Sequence, residues 1–287
     1  MFQHCVIFVL IYNIRIMAIT TEQIKSLRER TGISVMQVKK ALEEAGGDEE
    51  KAIILLQKKG SEIAAKKAER TLGAGAVVAC IDDKSGVIME LDCETDFVAR
   101  NPEFRVVAEK IAKSILTEGK NKDDFEAEVS GVVQKFGEKT EIVKVEKIEM
   151  VDAGVLVSYI HFSGDVGTLV YLKTTSNDAK VKEIANNIAM QITAQNPSYL
   201  SETEISDEEK EKVKILLSAD VDTSKPKEIQ EKILAGKVAA YFKEKVLLNQ
   251  EYILDPEKTI TQLLATTAKE VGTDISIVKF VRLSASE

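Results

Sequence analysis

One order of apolar periods occurs twice along the chain, and this repetition limits the possible architecture more than any other feature. Ala76 to Ile81 (AVVACI) and Val87 to Cys93 (VIMELDC) have a period of two around the polar turn Asp82-Asp83-Lys84-Ser85-Gly86, which predicts a β-hairpin. A helix should follow, with Asn101 as its N-cap, Pro102 in its first position, and Phe104, Val107, Ile111 and Ile115 on its apolar face. Later, Val155 to Ile160 (VLVSYI), a turn around Ser163-Gly164-Asp165, Gly167 to Leu172 (GTLVYL) and a helix from about Asp178 carrying Ile184, Ile188 and Ile192 repeat the order. The helix centres also echo each other, as AEKIAKSI at 108–115 and ANNIAMQI at 185–192. The pattern reads as one α+β unit present twice, although two unrelated hairpin-helix segments would share the same order.

Around this core the pattern is helical. Thr20 with Gln23 and Ser34 with Gln37 form two capping-box signatures, stopped at Gly32 and at Gly46-Gly47. Asp48 starts a third helix carrying Ala52, Ile53, Leu55 and Leu56, which is expected to close at Gly60. These three make an N-terminal three-helix module at 17–60, followed by an exposed connecting helix at 61–72. The core then divides into a first half at 73–153 and a second at 154–287. A helix from Asp123 to Lys135 and a strand from Glu141 to Met150 complete the first half. In the second half, the stretches Asp207–Leu217 and Lys227–Tyr241, joined by a linker ending in Pro226, predict a helical hairpin at about 206–244. A helix from Thr259 and a strand from Ile275 to Leu283 (ISIVKFVRL) end the pattern.

Composition removes several kinds of function. The net charge is −8, the wrong sign for a surface that grips phosphate backbones. The histidines are His4 and His161 and the cysteines Cys5, Cys80 and Cys93, too few and too scattered for a CxxC pair, an HExxH helix or a multi-cysteine zinc site. Gly73 and Gly75 (LGAGAV) precede a strand without a third glycine or a following GK[ST], so neither a dinucleotide fingerprint nor a P-loop is present. The apolar run from Cys5 to Tyr12 is far short of the roughly 20 residues that span a bilayer, and its nearby charge, Arg15, lies on the wrong side for a secretory signal. Residues 1–16 are therefore expected to be upstream sequence, with Met17 as the initiator.

One segment invites two readings. Glu94-Thr95-Asp96-Phe97-Val98-Ala99-Arg100-Asn101-Pro102 places an Asp and a bulky Phe on a short connection held by the following N-cap. Either Thr95 and Asp96 make a local turn with Phe97 tucked into the core, or Phe97 protrudes as a wedge that enters a partner.

The segments LRERTGISVMQVKKALEEAGGDEEKAIILLQKKG, AAKKAER and LDCETDFVARNPEF stand in order, followed by HFSGDVG, NIAMQITAQNP, KPKEIQEKILAGKV and LLNQEYILDPEKTI. Together they resemble the bacterial elongation factor Ts family from Met17 almost to the end. The resemblance implies a nucleotide-exchange factor for elongation factor Tu, the GTPase that carries aminoacyl-tRNA to the ribosome. It implies a cytoplasmic protein that needs no cofactor or metal, makes no direct contact with nucleic acid or membrane, and performs no covalent chemistry of its own. The implied fold is an N-terminal ubiquitin-associated-like module, a duplicated hairpin-plus-helix α+β core and a helical hairpin insertion.

Carried over residue by residue, the resemblance assigns displacement of the partner's magnesium to Thr95, Asp96, Phe97 and Val98. It assigns partner contacts to Arg28, Met36 and Lys39, to Phe136 and Gly137, and to His161 through the pattern Tyr159-Ile160-His161. On the residues alone, Lys39 reads equally as a solvated helix face and Met36 as module core. Asp165 stands where the family commonly has a basic residue, and Asn187 where a histidine occurs. The chain also ends soon after Leu283, without a C-terminal helix that some members use as extra partner surface. An adaptor built on the three-helix module and a hydrolase are the rival classes. The first does not require the TDFV segment, and the second lacks a nucleophile-base pair.

Overall fold

The computed structural model describes residues 19–221 and 224–285, so the apolar run at 5–12 and the expected start at Met17 lie outside the described residues. The chain is a mixed α+β protein whose contacts divide it into two units, residues 1–69 with 130–138, and residues 70–129 with 139–287.

In the first unit the helices α1 (Thr21–Thr31), α2 (Val35–Glu44) and α3 (Glu49–Lys66) enclose Leu27, Ile33, Val38, Ala41, Leu42, Ala52 and Leu56. Their starts are set locally. Thr20 and Gln23 exchange both capping-box bonds at 3.1 Å, and Asp48 accepts from the Lys51 amide at 3.0 Å. Ser34 accepts from the Gln37 amide, but its hydroxyl donates to Gln37 Oε1 at 2.8 Å, so the second capping box is half formed. Gly32 ends α1 at φ +67°, a left-handed conformation that glycine adopts without strain.

The expected stop at Gly60 does not occur, and α3 runs through it to Lys66. Gly60 instead provides clearance, because a β-carbon there would stand 2.5 Å from Ser130 Oγ and 2.6 Å from the Ser130 carbonyl oxygen. Ser130 belongs to α6 (Glu126–Phe136), and its hydroxyl donates to the Gln57 carbonyl at 3.3 Å.

The second unit holds two three-stranded antiparallel sheets. β1 (Ala74–Ile81), β2 (Ser85–Cys93) and β3 (Thr140–Glu149) form one with β2 central; β4 (Gly154–Ile160), β5 (Val166–Lys173) and β8 (Ser276–Ser284) form the other with β5 central. Val77, Ile88, Ile148, Leu169, Tyr171 and Leu283 make a shared core where the sheets meet. The central strands are thus covered on both faces and read as near-continuous apolar runs. α5 (Pro102–Glu118) packs on β1 and β2, and α7 (Ala179–Gln195) on β4 and β5. The ladders slip at Glu90/Leu91 in β2 and at Tyr171/Leu172 in β5, positions 81 residues apart.

α8 (Asp207–Ser218) and α9 (Lys227–Lys245) pack together over Val213 and Phe242. The short ribbon β6 (Glu251–Tyr252) and β7 (Asp255–Thr259), absent from the sequence reading, leads into α10 (Ile260–Val271). Among the described residues no helix is long and apolar enough to cross a membrane.

Candidate functional site

Between β2 and α5 the chain makes a single helical turn, α4 (Asp96–Ala99), with Thr95 in extended conformation just before it. Four residues in one turn point in all directions, and packing on β1 and β2 selects which go inward. Val98 and Ala99 are buried, Asp96 is exposed, and Phe97 projects with 84% of its surface in solvent. The reading in which Phe97 tucks into the core is therefore set aside. An exposed Phe forgoes roughly 1.5–3 kcal/mol of burial free energy.

The turn is held from both sides. Upstream, Cys93 Sγ donates to the Thr95 carbonyl at 3.2 Å. The Glu94 carboxylate accepts from both sides of its fork, from Arg70 Nη1 at 2.9 and 3.2 Å and from the Lys139 backbone amide at 2.6 Å. Downstream, Arg100 pairs with Asp96 at 3.5 Å. Asn101 donates its amide to the Val98 carbonyl at 3.0 Å, and its side chain caps α5 by accepting from the Glu103 amide at 2.9 Å.

His161 stands just past β4, in the turn to β5, and α5 links it to the same region. Arg105, in the first turn of α5, donates to the Ser163 carbonyl at 2.6 Å. Gly164 adopts φ +77°, a left-handed conformation that glycine takes without strain, and a β-carbon there would displace the Arg105 guanidinium. His161 Nδ1 lies 2.6 Å from Ser163 Oγ, whose own proton goes to Asp165, so Nδ1 donates. Phe162, next to it, is 91% exposed, with its ring centroid 4.3 Å from that of His161. These two rings, Val78, Arg105, Val106 and Lys110 line an open groove of about 770 Å³. Asp165 is spent on Ser163, and Asn187 on the Tyr252 hydroxyl.

The remaining sequence candidates fall in the first unit. Arg28 on α1 and Lys39 on α2 are exposed, the latter 3.9 Å from Glu43. Met36 is 77% exposed and follows a half-exposed Val35, so it is not module core. Phe136 is half-buried with Lys135 Nζ 5.4 Å from its ring centre, and Gly137, at φ +71°, accepts from Lys67.

Sequence reasoning missed Phe162, Glu94, Arg70 and Arg105. Phe162 was detectable as an aromatic residue inside a polar Ser-Gly-Asp turn. The other three act through partners distant in sequence and left no local signal.

Comparison with known proteins bears on these positions together. A family model described as Elongation factor TS matches residues 94–287, a span containing Phe97, Phe136 and His161. The chain belongs to the elongation factor Ts family. It is 39% identical over 284 residues to elongation factor Ts of Clostridium botulinum (strain Alaska E43 / Type E3), covering 94% of this chain and 93% of the relative. The figures are the same for the protein of Clostridium perfringens (strain SM101), and identity is 38% over 288 residues for that of Clostridium acetobutylicum. Membership places the chain among the translation elongation factors of the exchange-factor type.

Proposed function

We propose that the chain is a guanine-nucleotide exchange factor that binds elongation factor Tu in its GDP-bound state, disturbs the partner's magnesium site and releases GDP so that GTP can enter. The observation that carries this reading is the exposed Phe97 ring on a turn fixed by hydrogen bonds at both ends. Phe97 enters between helices of the partner, with Thr95, Asp96 and Val98 shaping the turn behind it. GDP is held largely by the magnesium ion and by donors around its phosphates, so disturbing that ion removes the main counter-charge and dissociation accelerates. The chain makes and breaks no bond in this process. By linkage, GDP weakens the factor by the same ratio as the factor weakens GDP, and incoming GTP releases it.

Contact elsewhere is assigned to His161 with its neighbour Phe162 and the basic groove beside them, to Arg28, Met36 and Lys39 on a ubiquitin-associated-like module, and to Phe136 and Gly137. The matching ladder slips 81 residues apart support a duplicated core. A cytoplasmic location, with elongation factor Tu as the partner and neither nucleic acid nor membrane engaged, belongs to the same reading.

The test is release of fluorescently labelled GDP from purified elongation factor Tu. Sub-stoichiometric amounts of this chain should accelerate release; an unchanged rate would reject the function.

A further inference from the structure

Glu90 and Asp92 lie two residues apart on β2 and so share a face of the strand. Both are inside, at 7% and 8% exposure, and their carboxyl groups lie within reach of each other, a contact that is favourable only while one of the two carries a proton. Asp92 Oδ1 is buried without a hydrogen-bond partner, a heavy cost for a carboxylate and a smaller one for the carbonyl oxygen of a neutral acid. From β3 the charged neighbours are Glu141 towards Asp92 and Lys144 towards Glu90; on β1 the register partners are Gly75 opposite Asp92 and Val77 opposite Glu90, and Ala285, after β8, lies beside Gly75. Burial pushes the Glu90 carboxyl up as well, but Lys144 opposes that shift, whereas Glu141 adds to the one at Asp92, so Asp92 holds the proton more firmly than Glu90 does. Burial and the adjoining Glu90 carboxylate push the Asp92 carboxyl up to about 7.

The site is built around this group. A β-carbon at Gly75 would stand 2.1 Å from Asp92 Oδ1, so the second glycine of LGAGAV makes room for the carboxyl. The fold itself does not demand acids here. In the other sheet, 81 positions on, stand Tyr171, which bonds the Asp152 backbone, and an exposed Lys173, paired with the Asp152 carboxylate at 2.7 Å. The acid pair is therefore particular to the strand that ends at the Phe97 turn, two residues before the hydrogen-bonded Glu94.

We propose that Asp92 is a positioning residue for the exchange wedge: the proton it shares with Glu90 closes the end of β2, and losing that proton loosens the base from which Phe97 projects. This rests on the reading of Phe97 as the wedge. It makes exchange fall as pH rises through neutrality.

Two measurements on the full chain test it. Infrared spectra of the free protein should show the carbonyl band of a buried protonated carboxyl that fades as pH rises through about 7 and is missing from Asp92→Asn. Absence of that band overturns the proposal whatever the exchange assay reads. In the exchange assay the protonated fraction falls from about 0.9 at pH 6 to about 0.1 at pH 8, so the wild-type rate should drop about tenfold relative to Asp92→Asn, which keeps a donor to Glu90. Glu90→Gln, a second and milder variant, should shift the midpoint to lower pH. Parallel profiles alongside a defective Phe97→Ala protein overturn the positioning role alone; normal exchange by Phe97→Ala overturns the wedge and the positioning role together.

Discussion

Truncating Phe97 to Ala separates the contribution of the ring to folding from its contribution to exchange. With 84% of its surface already in solvent, the ring adds little to the folded state, so stability should move by less than about 0.5 kcal/mol. A core phenylalanine such as Phe104, which is fully buried, would cost about 3–5 kcal/mol on the same change. On entering a partner the ring recovers the burial it forgoes. Complete burial of a Phe side chain is worth roughly 1.5–3 kcal/mol, and 84% of that is roughly 1.3–2.5 kcal/mol. At 1.36 kcal/mol per decade this corresponds to a loss of about 10- to 70-fold in the rate of stimulated GDP release. The assay is stopped-flow release of labelled GDP from elongation factor Tu, run beside urea unfolding of the variant. A folded Phe97→Ala protein that exchanges within twofold of wild type would refute the wedge.

Other perturbations probe the supports. Gly164→Ala forces a side chain into a left-handed conformation, at roughly 1–2 kcal/mol, and into the Arg105 guanidinium; the melting temperature should fall, with partial recovery in the double variant with Arg105→Ala. Gly60→Ala in a helix interior ordinarily gains up to about 1 kcal/mol. Here the new methyl meets Ser130 backbone at 2.6 Å, so urea unfolding should show a net loss of about 1–3 kcal/mol instead. The raised Asp92 group also sets a stability slope. The folded chain binds that proton more tightly than the unfolded chain, so the contribution of this group to stability declines as pH rises from about 4 to about 7. Asp92→Asn should remove that contribution, and chemical denaturation of wild type and variant at about pH 5 and pH 8 checks it.

The helix starts were legible because their causes are local. Thr20, Asp48, Asn101 and Thr259 each cap an amide two or three residues away, and nothing distant intervenes. Gly60 misled for the opposite reason. Its purpose is clearance for Ser130, 70 residues further on, and a glycine needed for close approach looks the same in sequence as one that ends a helix. Glu90 and Asp92 alternate with Met89, Leu91 and Cys93 as though one face of β2 met water. The second sheet covers that face, and no feature of the segment announces it. The exposure of Phe97 was undecidable from TDFVAR alone, since β1 and β2 determine which side of a four-residue turn is buried. The ribbon of Glu251–Tyr252 with Asp255–Thr259 is too short and too polar to alternate.

A wedge is useful only if it is rigid before the partner arrives. Ordering a loose backbone costs roughly 1–2 kcal/mol per residue, and α4 contains four residues. A floppy turn would therefore consume at least about 4 kcal/mol on binding, more than the roughly 1.3–2.5 kcal/mol that burying the ring can return. Phe97 would then not drive exchange at all. The fork from Arg70 and the Lys139 amide onto Glu94, the thiol bond from Cys93 to Thr95 and the cap at Asn101 remove that cost in advance, during folding. On the proposed reading the mount therefore matters to exchange as much as the ring does. Variants that loosen it, such as Glu94→Ala, should slow GDP release although they leave every atom of Phe97 in place.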